Sequence, residues 1–348
     1  MVFENEAVHL PTVRQGSMVA FMSPSSGFKS EIGHRYQRAR ETIEDSGFDV
    51  IEYPTTCGQR DVGEAEAKAR ARDLSKAFRD DRVDVIIATI GGYRSNMLLS
   101  HLDFDEFRRN PTALVGYSDV TSLQLALYER ADLVTFSGPT GLAELGEFPE
   151  PFEYTMDSLC DALLGNAVGP IEPAETWTDE FLDWSEKADL DRPRARRHNP
   201  GYEWLTPGAG TGPLIAANLS TLVTTPDQYV PDIDGEILLL EENAEISSVH
   251  QVEKLLWTLR QAGILQDISG LAFGRYAAPN SAAVNRLCSV LTDVTAPYDI
   301  PVVYGVDYGH TDPMITVPMG AEATLDAGSE QFRIEADVSQ PVAEDSTN

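Results

Sequence analysis

Short, almost wholly apolar runs alternate with longer stretches of helical periodicity through the first half of the chain, and no other feature narrows the fold as much. Parallel strands buried on both faces read as continuous apolar runs, and each needs a crossover to reach the next, so the alternation predicts a parallel sheet covered by helices. Val19 to Met22 reads as a strand entering the turn Ser23-Pro24-Ser25-Ser26-Gly27. Tyr36, Ala39 and Ile43 mark one face of a helix stopped by Gly47, followed by a strand near Asp49 to Tyr53. An Ala/Arg/Lys-rich helix at about 65–79, a strand from Val83 to Thr89 and the loop Gly91-Gly92 come next. Ala113 to Gly116 forms a strand that runs into Tyr117-Ser118-Asp119 and a helix from about Thr121 to Arg130, and a strand from Leu133 to Ser137 completes the sheet.

Between about 166 and 205 periodicity gives way to Pro, Trp, Asp and Arg, the composition of a connecting segment that can wall a cleft between two lobes. Regular patterning resumes with Gly208 to Asn218, the apolar strand Glu236 to Leu240 and a helix near 248–262. On that helix Val249, Val252, Leu255, Leu256 and Leu259 share a face, and Ser248 with Gln251 can close a capping box. Strands near Gly270 to Phe273 and Pro301 to Tyr304, the segment Val306 to Pro318 and a final strand pair follow. The expected fold class is α/β. An N-terminal parallel-sheet domain, Rossmann- or flavodoxin-like, spans 1–165, and the connecting segment spans 166–205. A C-terminal mixed α/β domain spans 206–335, a disordered acidic tail spans 336–348, and a cleft separates the two domains.

Asp and Glu outnumber Lys and Arg by 56 to 26, a formal net charge of −30, and only five of the cations are Lys. Such a surface repels nucleic acid and anionic membranes alike. With 42% hydrophobic residues the chain still carries apolar surface for packed cores, so disorder does not explain the charge. Dense carboxylates with few lysines suit a halophilic protein, kept soluble in a saline interior where counterions screen self-repulsion. Cys57, Cys160 and Cys288 are odd in number, far apart and without a CxxC pair, which gives neither a disulfide framework nor a zinc site. Residues 1–20 lack the apolar core of a signal peptide and no stretch reaches the ~18 apolar residues of a membrane span, so a cytoplasmic location is expected.

A strand, a sharp turn, a Ser and a helix make a device that pushes a hydroxyl out of the backbone beside a positive dipole end. Ala113 to Thr121 has that form around Ser118, although Val120 replaces the last Gly of G-x-S-x-G and an ordinary Ser-Asp helix cap would look similar. A serine nucleophile needs a base. Of His9, His34, His101, His198, His250 and His310, only His310 lies in a loop at the end of an apolar strand among chemically suggestive neighbours, where a surface-loop His is the alternative. Glu241 follows Leu238-Leu239-Leu240 and would emerge at a sheet's carboxyl edge, a place for the acid that orients a base or simply a solvated strand end. Gly208-Ala-Gly210-Thr-Gly212 lacks a Walker Lys-Ser/Thr and reads as turns, and no HExxH or Cys/His cluster is present, so neither metal nor cofactor is expected.

Six segments agree in order and spacing with one family. They are Ala88-Thr-Ile-Gly-Gly92-Tyr-Arg-Ser-Asn96, Val115-Gly-Tyr-Ser118-Asp-Val-Thr121, Trp177-Thr-Asp-Glu180 with Trp184, Ala217-Asn218-Leu219, Ile237 to Glu241, and Gly309-His310-Thr-Asp-Pro-Met314. Over almost its whole length the chain resembles the serine LD-carboxypeptidases, most closely their microcin C self-immunity peptidase branch. The resemblance implies a serine carboxypeptidase with Ser118 as nucleophile, Glu241 as acid and His310 as base. It also implies an oxyanion hole from the backbone N–H groups of Gly92 and Asp119, a substrate contact at Asn218, nucleobase stacking on Trp184, and a homodimer. The implied substrate is a small peptide or aminoacyl-nucleotide conjugate cut at a C-terminal amide bond. A muramoyl tetrapeptide is the alternative substrate, and a non-catalytic α/β small-ligand-binding protein is the alternative class. Tyr93-Arg94 departs from the immunity branch, which has polar Asp-Asn there, and fits the broader family. Trp184 also suits a core or interface role, and Arg192, Arg194, Arg196 and Arg197 suit either an anionic substrate group or pairing with nearby acids.

Overall fold

The structure, a computed structural model, describes residues 10–28, 30–57, 63–278 and 280–335; the expected acidic tail lies outside the described residues. Strands β1 (Met18–Met22), β2 (Asp49–Glu52), β3 (Val85–Ala88), β4 (Ala113–Gly116) and β5 (Phe136–Ser137) pair in parallel, in the order β2-β1-β3-β4-β5. Helices Gly33–Asp45, Glu64–Arg79 and Thr121–Ala131 set Tyr36, Ala39, Ile43, Leu74, Phe78 and Leu123 against these strands in one buried cluster. Helical cover is why β3 and β4 are apolar at every position but the terminal Gly116. The strand order reverses between β1 and β3, and open α/β sheets bind ligands at the carboxyl ends of the strands flanking such a switch point.

The second sheet has a parallel centre of β10 (Ala209–Asn218), β11 (Ile237–Glu241), β12 (Gly270–Gly274) and β13 (Val302–Val306). Antiparallel strands flank it: β15 (Glu322–Asp326), β16 (Gln331–Ile334) and β6 (Gly169–Pro170) on one side, β9 (Glu203–Thr206) on the other. Side chains alternate along these strands. Ile215, Ala217, Leu238 and Leu240 join the core built with helices Val249–Gln261 and Ser281–Thr295. Leu214, Ala216, Ile237 and Leu239 face a second core that includes Tyr117, Tyr308, Met314 and Val317, so core packing joins the two lobes.

Pairing also crosses the expected boundaries. β14 (Val317–Pro318) runs antiparallel beside β5, so the first sheet is finished by a downstream segment rather than by Leu133 to Ser137, of which only Phe136–Ser137 pairs. In the expected connecting segment, β6 and the start of β9, which runs on to Thr206, join the second sheet, while β7 (Thr176–Trp177) and β8 (Arg197–His198) pair with each other. The capping box of Ser248 and Gln251 is formed.

Candidate active site

β4 ends on Gly116 because there is no room for a side chain: a Cβ would lie 3.0 Å from Val120 Cγ1 and 3.1 Å from Ala88 Cβ. The chain then turns at Ser118, whose φ of 60° falls in the left-handed region that costs an L-residue roughly 1–2 kcal/mol. A short 3₁₀ turn, Ser118–Val120, leads into helix Thr121–Ala131. The loop after β3 passes close by. A Cβ on Gly91 would sit 3.0 Å from Ser118 Cβ, 3.1 Å from its Oγ and 3.7 Å from Asp119 N. Gly92 has φ +152°, and a Cβ there would meet Ser26 Oγ at 2.0 Å and Ser25 Oγ at 2.7 Å. The Gly-Gly pair therefore has a steric reason, and Gly91, to which the sequence assigned no role, lies against the serine.

Asp119 ties this corner together. Its buried Oδ2 accepts the backbone N–H groups of Arg94 at 2.7 Å and Ser95 at 2.8 Å and the hydroxyl of Ser25, while the Ser95 hydroxyl donates to the Asp119 carbonyl. One carboxylate thus fixes the loops leaving β1, β3 and β4, a role the sequence left open.

On the facing lobe, register pairs Asn218 with Glu241 at the carboxyl ends of β10 and β11. His310 Nδ1 donates to Glu241 Oε2 at 2.6 Å, and Asn218 Nδ2 donates to Glu241 Oε1 at 2.9 Å. Asn218 Oδ1 accepts from Thr221 N at 3.0 Å and caps helix Leu219–Thr224, so this side chain is committed on both ends. Gly309, at φ +102°, lets the backbone pass Glu241: a Cβ would lie 2.7 Å from Oε2. Burial works against the His310 imidazolium, but Glu241, with Glu144 and Glu242, outweighs it and holds the pKa above the ordinary imidazole value. With Nδ1 bound to a carboxylate, Nε2 is the nitrogen left to exchange a proton. Tyr117 joins the two lobes at this point, its ring centroid 5.1 Å from that of His310.

Arg35, Glu147, Phe181, Trp184, Arg194 and Asp312 line a cavity that draws on both lobes and the segment between them. The Arg35 guanidinium lies 4.3 Å from the Trp184 ring centroid and the Phe181 ring lies 5.5 Å from it, so Trp184 lines the cavity with one flank already covered. The arginine cluster pairs with acids and rings: Arg192 with Glu180 at 2.6 Å, Arg194 with Asp312 at 2.8 Å and Glu147 at 3.1 Å, Arg197 with Asp179, and Arg196 4.2 Å over the Phe152 ring. Among the described residues no group of three or more His, Cys, Asp or Glu could hold a metal ion, and no helix is long and apolar enough to cross a membrane.

Known proteins share this arrangement of lobes. The model of the LD-carboxypeptidase N-terminal domain matches residues 19–138 and that of the LD-carboxypeptidase C-terminal domain matches 211–325. A predicted carboxypeptidase of Vibrio cholerae is 32% identical over 329 residues, 92% of this chain and 95% of its own length. The microcin C7 self-immunity protein MccF of Escherichia coli is 28% identical over 339 residues, 96% of this chain and 97% of its own. The structure of MccF in complex with glutamyl sulfamoyl guanosine superposes with a TM-score of 0.84 at 28% identity, over 94% of this chain and 98% of that one.

Proposed function

The chain belongs to the LD-carboxypeptidase family, and from that premise we propose that it is a serine hydrolase with Ser118, His310 and Glu241 as its catalytic triad. The observation that carries this reading is the buried Glu241–His310 hydrogen bond of 2.6 Å, with the His310 ring 5.1 Å from that of Tyr117, the residue before a serine held at an unusual φ on a strand-to-helix corner. His310 Nε2 takes the proton of the Ser118 hydroxyl as Oγ attacks a substrate amide carbonyl. Glu241 stabilises the imidazolium that results, and the N–H groups of Gly92 and Asp119 receive the oxyanion. His310 then returns the proton to the leaving amine as the C–N bond breaks. Water, activated by the same imidazole, adds to the acyl carbon, releasing the acid and restoring the Ser118 hydroxyl.

The substrate class favoured is a small aminoacyl-nucleotide conjugate. In support, Trp184 offers an aromatic ring to a cavity that also carries arginines, and MccF has been captured with aspartyl sulfamoyl adenosine. The test is a hydrolysis panel of aspartyl sulfamoyl adenosine and a murein tetrapeptide, with wild type and Ser118→Ala side by side. Cleavage of the nucleotide conjugate alone supports the proposal. Cleavage of the tetrapeptide alone assigns the same chemistry to murein recycling, and turnover that survives Ser118→Ala removes the triad.

A further inference from the structure

Glu144 is a buried carboxyl that the mechanism above does not use. It lies on the turn Gly141–Leu145, whose backbone is clamped by Arg35 through Leu142 O and Ala143 O, each at 2.6 Å. Its Oε2 accepts the Thr140 N–H at 2.6 Å and the Thr140 hydroxyl at 3.1 Å, and its Oε1 accepts the Tyr117 hydroxyl at 2.7 Å. Tyr117 in turn immediately precedes Ser118 and lays its ring against that of His310. Whatever fixes the Tyr117 side chain therefore acts on nucleophile and base together.

Resting on the triad reading, we propose that Glu144 is a positioning residue: it locks the Tyr117 ring against His310 one residue before the nucleophile. The charged and titratable groups around it are few enough to follow. Tyr117 faces it from the elbow, and Asp312 acts on it from the loop after β13 while paired to Arg194, which also holds Glu147. His310 is further influenced by Glu241 and Glu242 at the end of β11. Burial, then the Asp312 charge, push the Glu144 carboxyl up to about 7, and Glu144 is one of the carboxylates, after Glu241, that act on His310. An ionised Glu144 favours the imidazolium; a neutral one releases it.

The base works only as neutral imidazole, so removing the Glu144 charge moves the acid limb of activity to lower pH. Glu144→Gln suits the test because its amide oxygen can accept from Thr140 N while its NH₂ donates to the Tyr117 oxygen. The experiment is the pH profile of kcat/KM for wild type, Glu144→Gln and Tyr117→Phe on whichever panel substrate the wild type cleaves, with thermal melts alongside. In Glu144→Gln the acid limb should fall by about half a pH unit or more, with a severalfold loss of plateau kcat. Tyr117→Phe strips a donor from the Glu144 carboxylate, favours its neutral form and should shift the limb the same way. If Glu144→Gln does not fold, Tyr117→Phe decides the matter. An unmoved limb in folded variants overturns the proposal while leaving the triad standing; activity that persists in Ser118→Ala overturns the reading beneath it.

Discussion

Replacing Gly92 with Ala puts a methyl group into space held by two serines. The new Cβ would meet Ser26 Oγ at 2.0 Å, Ser25 Oγ at 2.7 Å and Ser26 Cβ at 2.9 Å, against a comfortable separation of about 3.5 Å or more. Ser25 cannot simply turn away, since its hydroxyl is engaged by the Asp119 carboxylate. The loop after β3 must therefore shift by on the order of 1 Å, a misplacement that can cost 10²-fold at a catalytic centre. If the displaced Gly92 N–H is an oxyanion donor, the loss is about 10²–10³ in kcat, or roughly 2.7–4 kcal/mol. Strain at this φ adds a stability cost of order 1–3 kcal/mol, which the core should absorb. Gly91→Ala should be as damaging by a shorter route, because its Cβ would press on Ser118 itself at 3.0–3.1 Å. Gly33→Ala is the control: a Cβ there has nothing within 4 Å, so kcat should be unchanged and the melting temperature unchanged or slightly raised. Steady-state kinetics with melts on the three variants decides the outcome. A folded Gly92→Ala protein with more than a tenth of wild-type kcat would refute the steric reasoning and the oxyanion role together.

Other expectations are briefer. Burial opposes the His310 imidazolium but Glu241, Glu144 and Glu242 prevail, so kcat/KM should rise with pH through a limb above 6.5, and Glu241→Gln should lower both that limb and kcat; a wild-type limb at or below 6.5 would contradict this. Trp184→Ala should cost a nucleotide conjugate roughly 1–3 kcal/mol of binding and a plain peptide far less, and equal losses on both would show that the ring only packs on Arg35 and Phe181. At a net charge of −30, the melting temperature should climb from low to molar KCl, and a flat response would remove the saline reading of the composition.

The parallel strands were legible because burial on both faces writes itself as contiguous apolar sequence: Ile237 to Leu240 is the plain case, split between two cores yet apolar throughout. Ser248 and Gln251 were legible because a capping box is local. What sequence reading missed is non-local. β5 reads as the end of a longer strand, Leu133 to Ser137, but its partner β14, two residues long and about half the chain away, has no pattern long enough to notice. The Asp119 carboxylate could have served as a helix cap, and only the folded loops reveal Ser25, Arg94 and Ser95 as its partners. Glu144 sits in a short turn without helical or strand periodicity, so nothing local marked it as the partner of Tyr117. For Trp184 the sequence supplied an aromatic ring, but the coverage of one flank by Arg35 depends on a helix far upstream.

The central claim is that Ser118 is the nucleophile activated by the His310–Glu241 pair, and kcat of Ser118→Ala tests it most directly. On a substrate that wild type cleaves, a folded Ser118→Ala protein should lose on the order of 10³-fold or more, because triad members act as a unit and what survives comes from binding and oxyanion stabilisation alone. Retention of even a tenth of wild-type turnover would contradict the account.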